Sequence, residues 1–104
     1  MTRPYVLTRG AAADLRGIIR YSAEKWGEAQ SLAYAAQLEA AACEVALGQG
    51  VFKQADDLLA GLRVRQAGKH ILFCLPRPKQ PALILAILHE RMDLMARLKD
   101  RLGL

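Results

Sequence analysis

Cysteine and histidine are scarce in this chain of 104 residues, with two of each, and tryptophan occurs once. Cys43 and Cys74 fall on different expected elements and make neither a CxxC nor a CxxH spacing, so the chain offers no zinc framework and no thiol–disulfide motif. Both are expected as reduced thiols packed in or beside the core. Glu24, Glu39 and Glu44 show neither paired-acid nor metal-ligand spacing, so no metal or other cofactor is expected. Long apolar runs are also missing. The longest, residues 82–88, falls well short of the roughly 18 residues that a membrane span requires, and the alanine-rich segment 33–47 is interrupted by Gln37, Glu39 and Glu44. The opening Met1-Thr2-Arg3-Pro4-Tyr5 has no apolar stretch leading to a small-residue cleavage site, so it reads as no secretory signal and a cytoplasmic location is the expectation.

Acidic residues are sparse only in the second half. Residues 1–60 hold six Lys/Arg against seven Asp/Glu, whereas residues 61–104 hold nine against three, so the whole net charge of +5 comes from the C-terminal part. That asymmetry favours an acidic partner, which could be nucleic acid, a phosphate-rich substrate or an acidic protein segment; it is equally compatible with a solvated basic surface. With 53% hydrophobic and 24% charged residues, the chain has the composition of one folded domain, residues 1–104, rather than of a disordered tail.

Hydrophobic periodicity gives the order of parts. Tyr5-Val6-Leu7 is β-prone, and Thr8 is a good cap for a following helix. Leu15, Ile18, Ile19, Ser22 and Trp26 recur at helical steps, which assigns Trp26 to the packing of a helical hairpin turned at Gly27. A second helix over 28–47 carries Ala29, Leu32, Ala33, Ala36, Ala40, Cys43 and Leu47 on one side, with short side chains that suit close approach of a neighbouring helix. Residues 48–61 read as a loop or a weak helical turn. Residues 62–66 and 71–75 are β-prone runs joined at Gly68-Lys69. Pro76, Pro78 and Pro81 are expected to break regular structure and leave Arg77 and Lys79 on an exposed loop. The Leu/Ile run 82–89 suits a central strand buried on both faces, and Asp93 can cap a last helix with Leu94, Met95, Leu98 and Leu102 as its stripe. The expected fold is α+β, in the order βααβββα, with a small, mainly antiparallel sheet packed on an N-terminal helical hairpin and closed by a short C-terminal helix.

Several motifs follow one another in a recognisable sequence: Tyr5-Val6-Leu7-Thr8, then Ala12, Asp14-Leu15, Ile18, Tyr21, Trp26-Gly27 and Tyr34. They continue with Gly61-Leu62-Arg63, Gly68-Lys69-His70 running into Ile71-Leu72-Phe73, and Ile87-Leu88-His89-Glu90-Arg91-Met92-Asp93. As an ordered set, these resemble the ParE branch of the RelE/ParE toxin superfamily over nearly the whole chain. The resemblance implies a compact RelE-like fold and the toxin of a type II toxin–antitoxin pair, held inactive by a ParD-like antitoxin. It also implies inhibition of DNA gyrase rather than catalysis, with DNA touched only through the antitoxin complex or gyrase. The chain departs from the family pattern in three places. Phe52-Lys53 stands where Gly-Arg is usual, Cys74-Leu75 where Tyr-Arg often closes a strand, and Ala86 where an arginine is expected.

The candidate residues for target or antitoxin binding are Arg63, Arg65, Lys69, His70, His89 and Arg91. Arg63 and Arg65 lie two apart on a strand and share a face, which suits bidentate capture of carboxylate or phosphate and equally suits two solvated arginines on an open sheet face. The alternative is a RelE-type ribonuclease acting on ribosome-bound messenger, in which His70, His89, Glu90 and the arginines would supply base, acid and cation. Sequence spacing does not bring the two histidines together, and a hairpin turn or a strand end is also a common seat for a structural histidine. A direct DNA-binding module finds little support, because no helix after a short turn presents the exposed Arg, Asn or Gln that would read a major groove.

Overall fold

A computed structural model describes residues 3–103, so the Met1-Thr2 part of the N-terminal reading lies outside the described residues. The chain runs β1 (Tyr5–Leu7), α1 (Arg9–Trp26), α2 (Glu28–Ala46), β2 (Lys53–Gln54), β3 (Arg63–Ala67), β4 (His70–Arg77), β5 (Gln80–His89) and α3 (Leu94–Leu102). The sheet order is β1-β5-β4-β3-β2, antiparallel except for the parallel β1–β5 pair. The expected α+β class and order hold, with one short strand more than the sequence suggested. Lys53 and Gln54 pair with Val64 and Arg63 inside the stretch read as a loop, because the β3 edge offers backbone partners that no local pattern advertises.

Thr8 caps α1, accepting the Ala11 amide at 3.1 Å, and its own amide donates to the Ile84 carbonyl, so strand, turn and helix are fastened at one residue. Gly27, at φ 89°, ends α1 and starts α2 with a single residue. The helices are joined inside by two buried serines, Ser22 and Ser31, whose hydroxyls lie 2.9 Å apart and also donate to the Ile18 and Ile19 carbonyls. Every buried hydroxyl there has a partner, as burial demands.

The face that α2 buries differs from the one expected. Ser31, Ala35, Leu38, Ala41, Ala42 and Val45 point inward, while Leu32 and Leu47 are 60% and 58% exposed and Ala29, Ala33, Ala36 and Ala40 lie outside with them. An alanine-rich helix carries two apolar stripes, and the inward one holds Leu38 and Val45, which bury more area against the sheet. Trp26 is corrected too: it is 53% exposed rather than packed inside the hairpin.

The sheet is buried on both faces. Leu72, Cys74, Ala82, Ile84 and Ile87 meet the helical hairpin; Ile71, Phe73, Leu85, Ala86 and Leu88 meet α3 and Leu62. Pro76 and Arg77 belong to β4 rather than to a loop, and only Pro78-Lys79 turns the hairpin, with Lys79 at φ 56°. β5 lies inside the sheet as expected, beside the central β4. Its pairing jumps from Phe73↔Ala86 to Cys74↔Ile84, leaving Leu85 as an extra residue. This bulge inverts the alternation: Ala82 and Ile84 face the hairpin, Leu85 and Ala86 face α3, and Ile87 faces the hairpin again. Beyond the last pair with β1, Leu7↔Ile84, backbone groups of β5 are met by side chains. The Ile87 amide donates to Asp14 at 2.9 Å, and Arg101 donates to the Leu85 carbonyl and, through both terminal nitrogens, to Asp14 at 3.0 Å. Asp14→Ala should therefore cost about 1–3 kcal/mol, the penalty of a half-buried donor left unmet, read as a lowered denaturation midpoint with faster hydrogen exchange at Ile87 and in α3.

Candidate functional site

The six sequence candidates separate into two groups at opposite ends of the β3–β4 hairpin. Arg63 and Arg65 do share one face, but that face is covered. Arg63 donates to the Val45 carbonyl at 2.9 Å at the end of α2, where carbonyls lack helical partners and the helix dipole favours a cation, and its guanidinium lies 5.1 Å from the Phe52 ring centroid. Arg65 pairs with Glu44 at 2.9 Å, with 18% of its side chain exposed. Both arginines staple α2 and the Gly48–Gly50 loop to the sheet, so neither the open-face reading nor a free anion clamp describes them. The substitutions that set this chain apart are absorbed the same way. Phe52 lies under Arg63, Cys74 and Ala86 are fully buried, and Leu75 packs in the α3-side core. Burial pushes the Cys74 thiol up to about 11, despite the opposing pull of Arg63, which makes it an inert core thiol. Both cysteines are unpaired, and no cluster of three or more His, Cys, Asp or Glu suited to a metal occurs among the described residues.

Lys69, His70, His89 and Arg91 gather at the other end. The β4–β5 register pairs His70 directly with His89, and the Leu85 bulge turns His89 to the hairpin side. The two rings meet edge to face, with centroids 5.2 Å apart. His70 Nδ1 lies 2.7 Å from the Tyr34 hydroxyl of α2, and that oxygen also accepts the Lys69 amide at 3.0 Å. His89 Nδ1 accepts the Arg91 amide at 3.1 Å, so the neutral ring carries its proton on Nε2. Burial holds the His70 pKa below its ordinary value, and His89 lowers it further against the upward pull of Glu90. Gly68, at φ 59°, makes the turn possible; a Cβ there would stand 2.7 Å from the Tyr34 ring.

The histidine pair lines one end of an open cleft of about 770 Å³ between α1, α2 and the ends of β4 and β5. Its other walls are Ile18, Ile87 and Leu88, and its lip is formed by Tyr21, Trp26 and Met92. These three are 57%, 53% and 43% exposed, and Tyr21 and Trp26 contact edge to face at 6.2 Å. Lys69 stands at the rim, and Arg91 lies two residues beyond His89, with an exposed side chain. Sequence reasoning missed Tyr21, Trp26, Tyr34 and Met92 as site residues. The signal present was Trp26 beside the hairpin glycine, which helical periodicity alone turned inward.

A family model described as the ParE toxin of the type II toxin–antitoxin system parDE matches residues 5–94. The chain is 54% identical over 98 residues to Toxin ParE of Escherichia coli, covering 94% of this chain and 95% of that one. It is 35% identical over 96 residues to Toxin ParE1 of Caulobacter vibrioides, covering 92% and 98%. A solved structure, the chromosomal ParDE TA system from P. aeruginosa, superposes with a TM-score of 0.67 at 20% identity, over 82% of this chain and 92% of that chain, which supports the fold. The chain belongs to the ParE toxin family of ParDE type II toxin–antitoxin systems.

Two expected outcomes follow from the site. Arg63→Glu should lose about 2 kcal/mol of stability, because it exchanges a donor for a like-charged group at the end of α2; urea denaturation measures it. His70 binds its proton more weakly folded than unfolded, so stability is full above the ordinary value of 6.5 and declines as pH falls below it, down to the depressed folded pKa. His70→Gln should remove that decline, seen as thermal midpoints less dependent on pH between about 7.5 and 5.5.

Proposed function

We propose that this chain is a single-domain toxin that acts in the cytoplasm by inhibiting DNA gyrase, without catalysis of its own, and is neutralised by a ParD-like antitoxin. It would meet DNA only through gyrase or the antitoxin complex. What carries the reading is whole-length likeness to Toxin ParE at 54% identity, together with family membership. The basic C-terminal part and the apolar cleft beside the helical hairpin support a partner segment that is acidic, amphipathic and ordered on binding. Lys69, His70, His89 and Arg91 are the binding candidates on this reading; Arg63 and Arg65 act through the fold.

The ribonuclease alternative gains one observation, the contact between His70 and His89. The pairing itself argues for the gyrase reading. A base and an acid must flank the reacting phosphate, whereas these rings touch each other at 5.2 Å and spend both Nδ1 atoms on Tyr34 and the Arg91 amide. Purified toxin should inhibit gyrase supercoiling or accumulate cleaved DNA while ribosome-bound messenger stays intact. Codon-specific messenger cleavage that disappears in a folded His89→Gln variant would instead establish the ribonuclease.

A further inference from the structure

The described residues leave eight large apolar side chains exposed, and three of them, Tyr21, Trp26 and Met92, surround the one cleft that ends on the histidine pair. Its volume lies within the range of about 300–1,000 Å³ typical of ligand-enclosing pockets, and its walls are largely apolar, with Asp14, Ser22 and Gln30 the polar side chains away from that end. Water in such a space is readily displaced by an apolar side chain, and exposed aromatic residues around a pocket are the composition of a binding hot spot.

The polar end is specific about charge. Lys69 lines it and supplies a cation, Arg91 follows His89 by two residues with an exposed side chain, and each imidazole has one ring nitrogen engaged and Nε2 left for a ligand. The surrounding charges and titratable groups are otherwise engaged. On α1, Asp14 is held by Arg101 of α3 and the Ile87 amide; on α2, Tyr34 is held by His70 and Lys69. Beyond β5, Glu90 accepts the Gln66 side-chain amide at 3.0 Å, and at the lip Lys25 lies over the Tyr21 ring. We infer that the cleft receives an apolar side chain of the antitoxin flanked by a carboxylate, and that the carboxylate settles against the His70–His89 pair, so that docking takes up a proton. This rests on the antitoxin reading above and assigns it a site and a chemistry. A carboxylate arriving beside an imidazole favours the imidazolium, so the proton-linked gain in affinity grows as pH falls through the imidazole range and disappears, leaving the apolar contact, as pH rises above the pKa of the complex. The apolar walls disfavour a nucleic-acid strand, whose bases need polar edges to be read as well as a surface to stack on.

The test uses the full-length protein encoded by the neighbouring antitoxin gene and this chain labelled with 5-fluorotryptophan, whose single fluorine signal belongs to Trp26. Binding should shift that signal, and Trp26→Ala should weaken the complex tenfold or more. Calorimetry in buffers of different ionisation enthalpy should show proton uptake, with affinity rising about three- to tenfold from pH 7.5 to 6.0. The doubly substituted His70→Gln, His89→Gln chain, confirmed as folded by its circular dichroism, should lose both the uptake and the pH dependence. A complex that leaves the Trp26 signal unmoved and tolerates Trp26→Ala overturns the site while leaving the antitoxin reading intact. Undiminished pH dependence in the double variant, or displacement of the antitoxin by a single-stranded oligonucleotide, overturns the chemistry. Absence of any complex removes the antitoxin reading and this inference together.

Discussion

One extra residue in β5 sets the geometry of this protein. Leu85 has no partner in β4, and from that point the strand's alternation reverses, so Ile87 returns to the hairpin side and His89 follows it. Asp14, Thr8 and Arg101 meet backbone groups of β5 at and just beyond its last pair with β1, Leu7↔Ile84, which ties α1, the β1–α1 turn and α3 to the same short stretch of strand. Without the reversal, a strand that buries both faces could not also deliver a histidine beside His70. The bulge is therefore a device for aiming a side chain, held in place by a partly buried ion pair whose partners also bond to backbone.

The two ends of the sheet have divided their charges between different tasks. At one end, Arg63 and Arg65 satisfy the carbonyls and carboxylate at the end of α2, and their charge is consumed by architecture. At the other, Lys69 and Arg91 leave their side chains exposed next to a cleft with aromatic lips. A basic C-terminal half is thus two features, one structural and one exposed at the surface. Fractional exposure of the lip, not net charge, is what singles out this end as the proposed binding end.

Much of this fold was legible in the sequence because local rules and tertiary packing agree there. Thr8 and Asp93 cap the helices they precede, Gly27 turns the hairpin, and the Leu/Ile run of β5 is buried on both faces. Legibility failed where two answers were locally equivalent. The alanine-rich α2 offers two apolar stripes, and only the sheet decides that Leu38 and Val45 turn inward; Trp26 has core spacing but is the last residue of α1 and stands exposed at the cleft. The site was legible by residue type and hidden by register. His70 and His89 were singled out, yet their contact depends on a bulge that no sequence pattern declares, and Tyr34, which anchors His70, entered only as part of the ordered motif set, with nothing in its alanine-rich helix to tie it to a histidine.

The claim that the bulge delivers His89 against His70 is most directly tested by following the His70 imidazole nitrogens by NMR across pH, in the unaltered chain and in His89→Gln. The account predicts that His70 titrates below its ordinary 6.5, with Nδ1 unprotonated when neutral, and that replacing His89 moves its titration upward, since a neighbouring imidazolium is removed. A His70 titration that is the same in both chains would show that the rings do not meet, and would contradict the account.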